Sequence, residues 1–141
     1  MSLIGSIRTY LLTYSGLVSG AGLLVDTLGK EPTQYSLVPL PGARIVQTYI
    51  NGATVREFAF AVQSMESTAD DPARIANHEF LETLADWIES QNEAEVFPTL
   101  DSGKTPVRIE VLGQPILFEF GESGTGIYQL QCRLTYEQTA L

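Results

Sequence analysis

The sequence predicts an α+β fold: an antiparallel β-sheet with an N-terminal helix and a central helix packed on one face. Three observations point there. Two stretches space their apolar residues at three and four positions, as a helix does. Several others alternate apolar with polar residues, as half-buried strands do. The order is helix, strands, helix, strands, with links of hairpin length rather than the crossover helices of a parallel sheet. At 141 residues the chain suits a single domain over 1–141.

The opening stretch Leu3–Tyr14 places Leu3, Ile7, Tyr10, Leu11 and Tyr14 at helical spacing, with Ser2 as cap and Gly16 as terminator. Residues 16–34 are rich in glycine, and Leu23–Val25 reads as a short strand within them. Tyr35–Leu40 is a second short strand, which Pro39 and Pro41 restrict to a sheet edge or end. The strongest local signal follows. Ile45–Ile50, Asn51-Gly52 and Thr54–Val62 read as a hairpin whose Asn-Gly pair supplies the two positive φ angles of a type I′ turn. Asp71 as cap and Pro72 at the first helical position start the central helix. Phe80, Leu84, Trp87 and Ile88 share one of its faces, and Asn77 could mark a kink.

The last third reads as a three-stranded meander. Val107, Ile109 and Val111 alternate with Arg108 and Glu110, and Gly113-Gln114 turns the chain. Ile116, Phe118 and Phe120 alternate with Leu117 and Glu119, before a Gly-rich turn at Gly121–Gly126. The final run from Tyr128 is apolar at every second position through Tyr136. Ile7, Leu11, Phe58, Phe60, Leu84, Trp87, Ile88, Leu130 and Leu134 are expected to form one core cluster between sheet and helices.

Composition excludes several classes. With 44% apolar and 18% charged residues, the chain is neither disordered nor a coiled coil. A net charge of −9 opposes binding to phosphate backbones, and eight scattered cations make no membrane anchor. No apolar run nears the roughly 18 residues of a membrane span. No charged leader precedes the first helix, so no signal peptide is expected and synthesis is assigned to the cytoplasm.

Chemistry-bearing patterns resolve into bland ones. Gly103-Lys104-Thr105 resembles the end of a P-loop, yet Pro98 stands where the first glycine is needed and a strand follows. Gly20-Ala21-Gly22 and Gly121–Gly126 do not sit between a strand and a helix, so both read as loops. His78 is the single histidine and lacks the partners of a triad or zinc site, which makes it a surface or kink residue. Cys132, between Leu130 and Leu134, is a small buried hydrophobe, and alone it makes no disulfide. Glu79, Glu82, Asp86 and Glu89 share a helix face that reads as solvated rather than metal-binding. Trp87 reads as a core anchor. The expectation is therefore no enzyme, with no catalytic, cofactor-binding or metal residues and no cofactor.

The stretch Leu28-Gly29-Lys30-Glu31-Pro32-Thr33-Gln34-Tyr35-Ser36-Leu37-Val38-Pro39-Leu40-Pro41 resembles a family of small bacteriophage minor capsid proteins, themselves similar to tail terminators of long-tailed phages. Three more segments carry the resemblance in the same order. They are Tyr49–Gly52 with Phe58–Phe60, then Phe80 through Glu89, then Tyr128 through Tyr136. The resemblance implies a structural virion protein in the neck, at the top of the tail. It would form a ring of about six copies that caps the tail tube and joins it to the head-tail connector protein. The implied partners are the phage tail tube protein, the connector and other copies of the chain. DNA would pass through the channel without specific binding, and no membrane is involved. The competing reading from the residues is a small non-enzymatic adaptor that binds a peptide at an open sheet edge.

Overall fold

The computed structural model describes residues 2–15, 23–25, 34–42, 44–68, 70–120 and 124–140. Their element order is α1 (Leu3–Leu11), β1 (Leu23–Val25), β2 (Gln34–Pro39), β3 (Ile45–Thr48), β4 (Thr54–Ser67), α2 (Asp71–Glu93), β5 (Lys104–Val111), β6 (Ile116–Phe120) and β7 (Thr125–Gln138). The fold is α+β, with an antiparallel sheet of β2–β7 and both helices on one face. A three-residue parallel strand, β1, is added outside β2.

The spine of the sheet is the ladder between β4 and β7, paired without a shift from Thr54↔Gln138 to Ser67↔Thr125. Each spine strand carries two shorter strands end to end along its outer side. On β4, β3 pairs at Thr54–Arg56 and β2 at Phe60–Met65. On β7, β5 pairs toward the C-terminal end and β6 toward the N-terminal end. The expected meander is thereby corrected. Gly113-Gln114 does not reverse the chain, because β5 and β6 both run antiparallel to β7 and never pair with each other. The backbone bows away at 112–115, where Leu112 N–H still donates to Gln131 O, and then resumes its course. The link between β2 and β3 behaves alike: Leu40 N–H reaches Ala59 O and Glu57 N–H reaches Arg44 O on either side of the break. Two broken hairpins, joined by α2, thus meet at their long strands.

Local signals account for the boundaries, with four adjustments. Ser2 caps α1, its hydroxyl accepting from Gly5 N–H at 3.1 Å. The helix ends at Leu11 rather than Tyr14, and a turn in which Tyr14 N–H donates to Leu11 O brings Tyr14 back into the core. Gly16 lies outside the described residues. The cap of α2 is Asp70, one residue before the expected Asp71; its carboxylate accepts from Ala73 N–H at 2.9 Å. The two aspartates are equally good caps, and the three-residue reach of the side chain selects the first. From there α2 runs through Asn77 to Glu93 as one helix of 23 residues.

The Asn51-Gly52 hairpin also differs from the type I′ expectation. Tyr49 N–H donates to Ala53 O and Gly52 N–H to Tyr49 O, closing a three-residue loop. Gly52 has φ +90°, and Asn51 is not among the positive-φ residues. This is the type I turn followed by a left-handed glycine that three-residue loops favour. Asn51 instead accepts Ala53 N–H on its side-chain oxygen.

The core lies between sheet and helices. Ile7 and Leu11 of α1, Leu84 and Ile88 of α2, and Phe60, Leu130 and Leu134 of the spine are buried as expected. Phe58 and Trp87 are half-buried and pack against that cluster from its rim. Trp87 sits 5.4 Å from Tyr10 and 5.0 Å from Tyr14 between ring centroids, pinning α1 to α2. On α2 the inward face is carried by Leu81 as well, while Phe80 is half-buried and stacks on Tyr35. In β6 the alternation has Leu117 packed on the core, whereas Ile116 and Phe118 are exposed. Register with β7 sets this, and register is a long-range property that the run itself does not carry.

Candidate functional site

Each residue with chemical potential has a clear place. Cys132 is fully buried opposite Phe60 on the helix side of the spine, and burial pushes its thiol well up. A thiol held protonated there is packing material, not a nucleophile. His78 is half-buried on α2 with its ring edge-on to Tyr128, centroids 5.3 Å apart. Glu79, Glu82, Asp86 and Glu89 are all exposed on the outer side of α2. Gly103 has φ +87° in the turn in which Lys104 N–H donates to Asp101 O, and the chain then enters β5 directly. Gly20-Ala21-Gly22 and residues 121–123 lie outside the described residues. Among the described residues, no group of three or more His, Cys, Asp or Glu side chains could hold a metal ion. No described helix is long and apolar enough to cross a membrane.

The densest polar cluster went unnoticed in the sequence. On the sheet face away from the helices, Arg133 of β7 stands between Glu57 of β4 and Glu110 of β5. Its Nη2 donates to Glu110 Oε1 at 3.1 Å. Its Nε approaches Glu57 Oε2 to 3.2 Å as an ion pair without hydrogen-bonding geometry. Arg108 Nε donates to the same Glu110 oxygen at 2.9 Å. Partial burial raises the Glu110 carboxyl, but the hydrogen bonds and charges of Arg108 and Arg133 outweigh it and hold the group below its ordinary value. The four side chains tie three neighbouring strands together. The signal in the sequence is only an arginine and two glutamates on alternating positions, and nothing local says that they meet.

Beside this cluster, the break between β2 and β3 opens a cleft of about 600 Å³. Arg44, Arg133 and Glu57 supply its polar wall and Leu40, Phe58 and Tyr136 its apolar one. Arg133 is already committed to two carboxylates, while the guanidinium of the exposed Arg44 has no hydrogen bond or ion pair among the described residues. The cleft offers apolar area beside one guanidinium without a partner among the described residues.

The remaining surface of note is apolar. β3 is exposed at all four positions, and the loop after it presents Tyr49 and Ile50. On the far side of the sheet, β6 presents Ile116 and Phe118. Neither a protein-family model nor a curated protein matches the chain.

Proposed function

We propose that this chain is a structural virion protein of the tail-terminator kind, forming a ring of about six copies that caps the tail tube and joins it to the head-side connector. The observation that carries the reading is where the resembling segments fall. Their described parts lie on β2, on the hairpin loop with β4, on α2 and on β7. The resemblance therefore runs through the spine of the sheet and the helix that covers it. Exposed apolar side chains on opposite sides of the sheet support assembly, since scattered apolar residues are ordinary but grouped ones mark contacts. Virion neck and host-cell synthesis follow from the same reading, as do the tail tube and connector as partners.

Charge fits the role. Each copy carries −9, and the acidic outer side of α2 holds four exposed carboxylates. Turned toward a channel, such a wall would keep DNA phosphates from adhering. Rings of this charge repel themselves, and salt screens that repulsion beyond about 8–10 Å. The isolated ring should loosen at low ionic strength and tighten at moderate salt, as read by sedimentation. A reconstruction of a phage particle carrying this chain should show the ring at the top of the tail tube; a position outside the neck overturns the reading. The adaptor alternative is favoured by one feature, the wholly exposed edge strand β3. It predicts a solution mass that stays near the monomer's 15.4 kDa under all these conditions.

A further inference from the structure

Besides the three-residue β1, the strands β3, β5 and β6 of the described sheet pair on one side only, and each of these three is interrupted by a bulge. In β3 the pairs Ile45↔Arg56 and Gln47↔Val55 leave Val46 without a partner. In β5 the pairs Pro106↔Tyr136 and Arg108↔Thr135 leave Val107. In β6 the pairs Leu117↔Tyr128 and Glu119↔Ile127 leave Phe118. All three residues are apolar, and all three are exposed, at 53%, 41% and 53%. Bulges commonly blunt an edge against indiscriminate strand pairing. A bulge made for that purpose alone would carry a polar or charged residue, as edges do. These carry apolar knobs instead.

The knobs lie on opposite lateral edges: Val46 outside β4, Val107 and Phe118 outside β7. Charge distinguishes the two on the β7 side. Val46 has Arg44 and Arg56 beside it and Val107 has Lys104, while Arg108 there is already paired with Glu110, so Lys104 is the cation that opposes a contact between those two edges. Phe118 has the exposed Glu119, which has no ion pair among the described residues. We propose that copies of this chain join head-to-tail, with the Val46 bulge of one copy seated against the Phe118 bulge of the next and Arg44 facing Glu119 across the contact. Ile45 and Ile116, exposed at 48% and 47%, extend the apolar area on either side. The inference rests on the ring reading for the number of copies. It adds the surfaces: a contact between two different edges leaves one of each free at every step, and closes into a ring when the rotation between copies allows.

The experiment uses sedimentation of the full chain at a few hundred micromolar in moderate salt. Wild type should associate beyond the monomer. Val46→Lys and Phe118→Lys should each weaken association by about tenfold or more, which corresponds to about 1.4 kcal/mol or more. Mixed one to one, the two variants should form a dimer and stop there, because only one compatible pair of edges survives. Val107→Lys should associate as wild type does. Both substituted residues are exposed, and unchanged thermal unfolding of each variant confirms that the fold is kept. Three results overturn the proposal. If Phe118→Lys still dimerises alone, the contact joins like edges. If all variants assemble as wild type does, the ring uses other surfaces and the ring reading survives. If wild type itself stays monomeric, both fall.

Discussion

β4 meets two neighbours along one side, and they have opposite fates. Toward its C-terminal end it pairs with β2, whose Tyr35, Ser36 and Leu37 are all buried. Toward its N-terminal end it pairs with β3, every residue of which is exposed. Both neighbours belong to one interrupted outer strand, and both carry β-branched or large apolar side chains. The difference is coverage. β2 has β1 on its other edge and α1 against it, whereas β3 has β4 as its one paired neighbour among the described strands. Apolar character alone does not bury a strand; a second layer must be there to receive it. The uncovered end is therefore where the molecule has apolar surface to offer a partner.

The sharpest way to test the comparison is to make the same truncation at each end. Leu37→Ala removes a fully buried side chain and should cost about 2–5 kcal/mol, since the cavity cannot collapse beneath the helices. Ile45→Ala removes a side chain that is half in water and should change stability by no more than about 0.5 kcal/mol. Denaturant midpoints of the isolated chain measure both. Equal costs would mean that β3 is stabilised by its own subunit and that the comparison is mistaken.

Coverage itself depends on how α1 is held. Trp87 lies between α2 and the two tyrosines of the α1 segment, and Tyr10 hydroxyl donates to Val96 O at 2.9 Å from the same region. Trp87→Ala should cost about 3 kcal/mol, the lower end of the usual range because the indole is at the rim of the core. Loss of near-ultraviolet dichroism ahead of global unfolding would show α1 leaving first. A cost under about 1 kcal/mol would place the anchor of α1 elsewhere.

These differences explain what could be seen in the sequence. The helix face of α2, the alternation of β7 and the Ser2 cap are periodic or local signals, and each has its physical cause within a few residues. The Asn51-Gly52 turn was legible as a reversal but not in its length, which depends on Tyr49 pairing with Ala53. The break at 112–115 looked like another reversal because Gly and Pro punctuate both turns and bulges. Only the continued pairing along β7 separates the two. The knobs at Val46 and Phe118 were hidden for the same reason, since a bulge exists only relative to a partner strand. The run Ile116–Phe120 shows an alternation but not which set faces inward, and only register places Leu117 there. Arg133, Glu57 and Glu110 meet through two strand pairings across more than seventy residues, and no local pattern encodes that.

The smallest expected effects contrast by pH a carboxylate shifted by burial, Glu66 of β4, with one shifted by ion pairing, Glu110 of β5. Glu66 lies at the covered end, where burial raises its carboxyl above the ordinary value despite the hydroxyl of Ser64 donating to it at 2.6 Å. The folded protein therefore holds this proton longer than the unfolded chain does. Stability falls as pH rises from the ordinary carboxylate range through the raised value. Glu110 has the opposite sign. Its carboxyl is held low by Arg108 and Arg133, so its contribution is present above the ordinary range and is lost as pH falls through the lowered value. At neutral pH, Glu66→Gln should raise the melting temperature slightly and Glu110→Gln should lower it. The Glu66 difference should shrink as pH falls below the ordinary carboxylate range, and the Glu110 difference only as pH falls further, through its lowered value. Salt separates them further: screening should reduce the Glu110 effect, which is partly an attraction between exposed charges, and leave the Glu66 effect, which is a cost of burial, largely in place. Shifts of the same sign at both positions would mean that burial at Glu66 and ion pairing at Glu110 do not act in opposite directions.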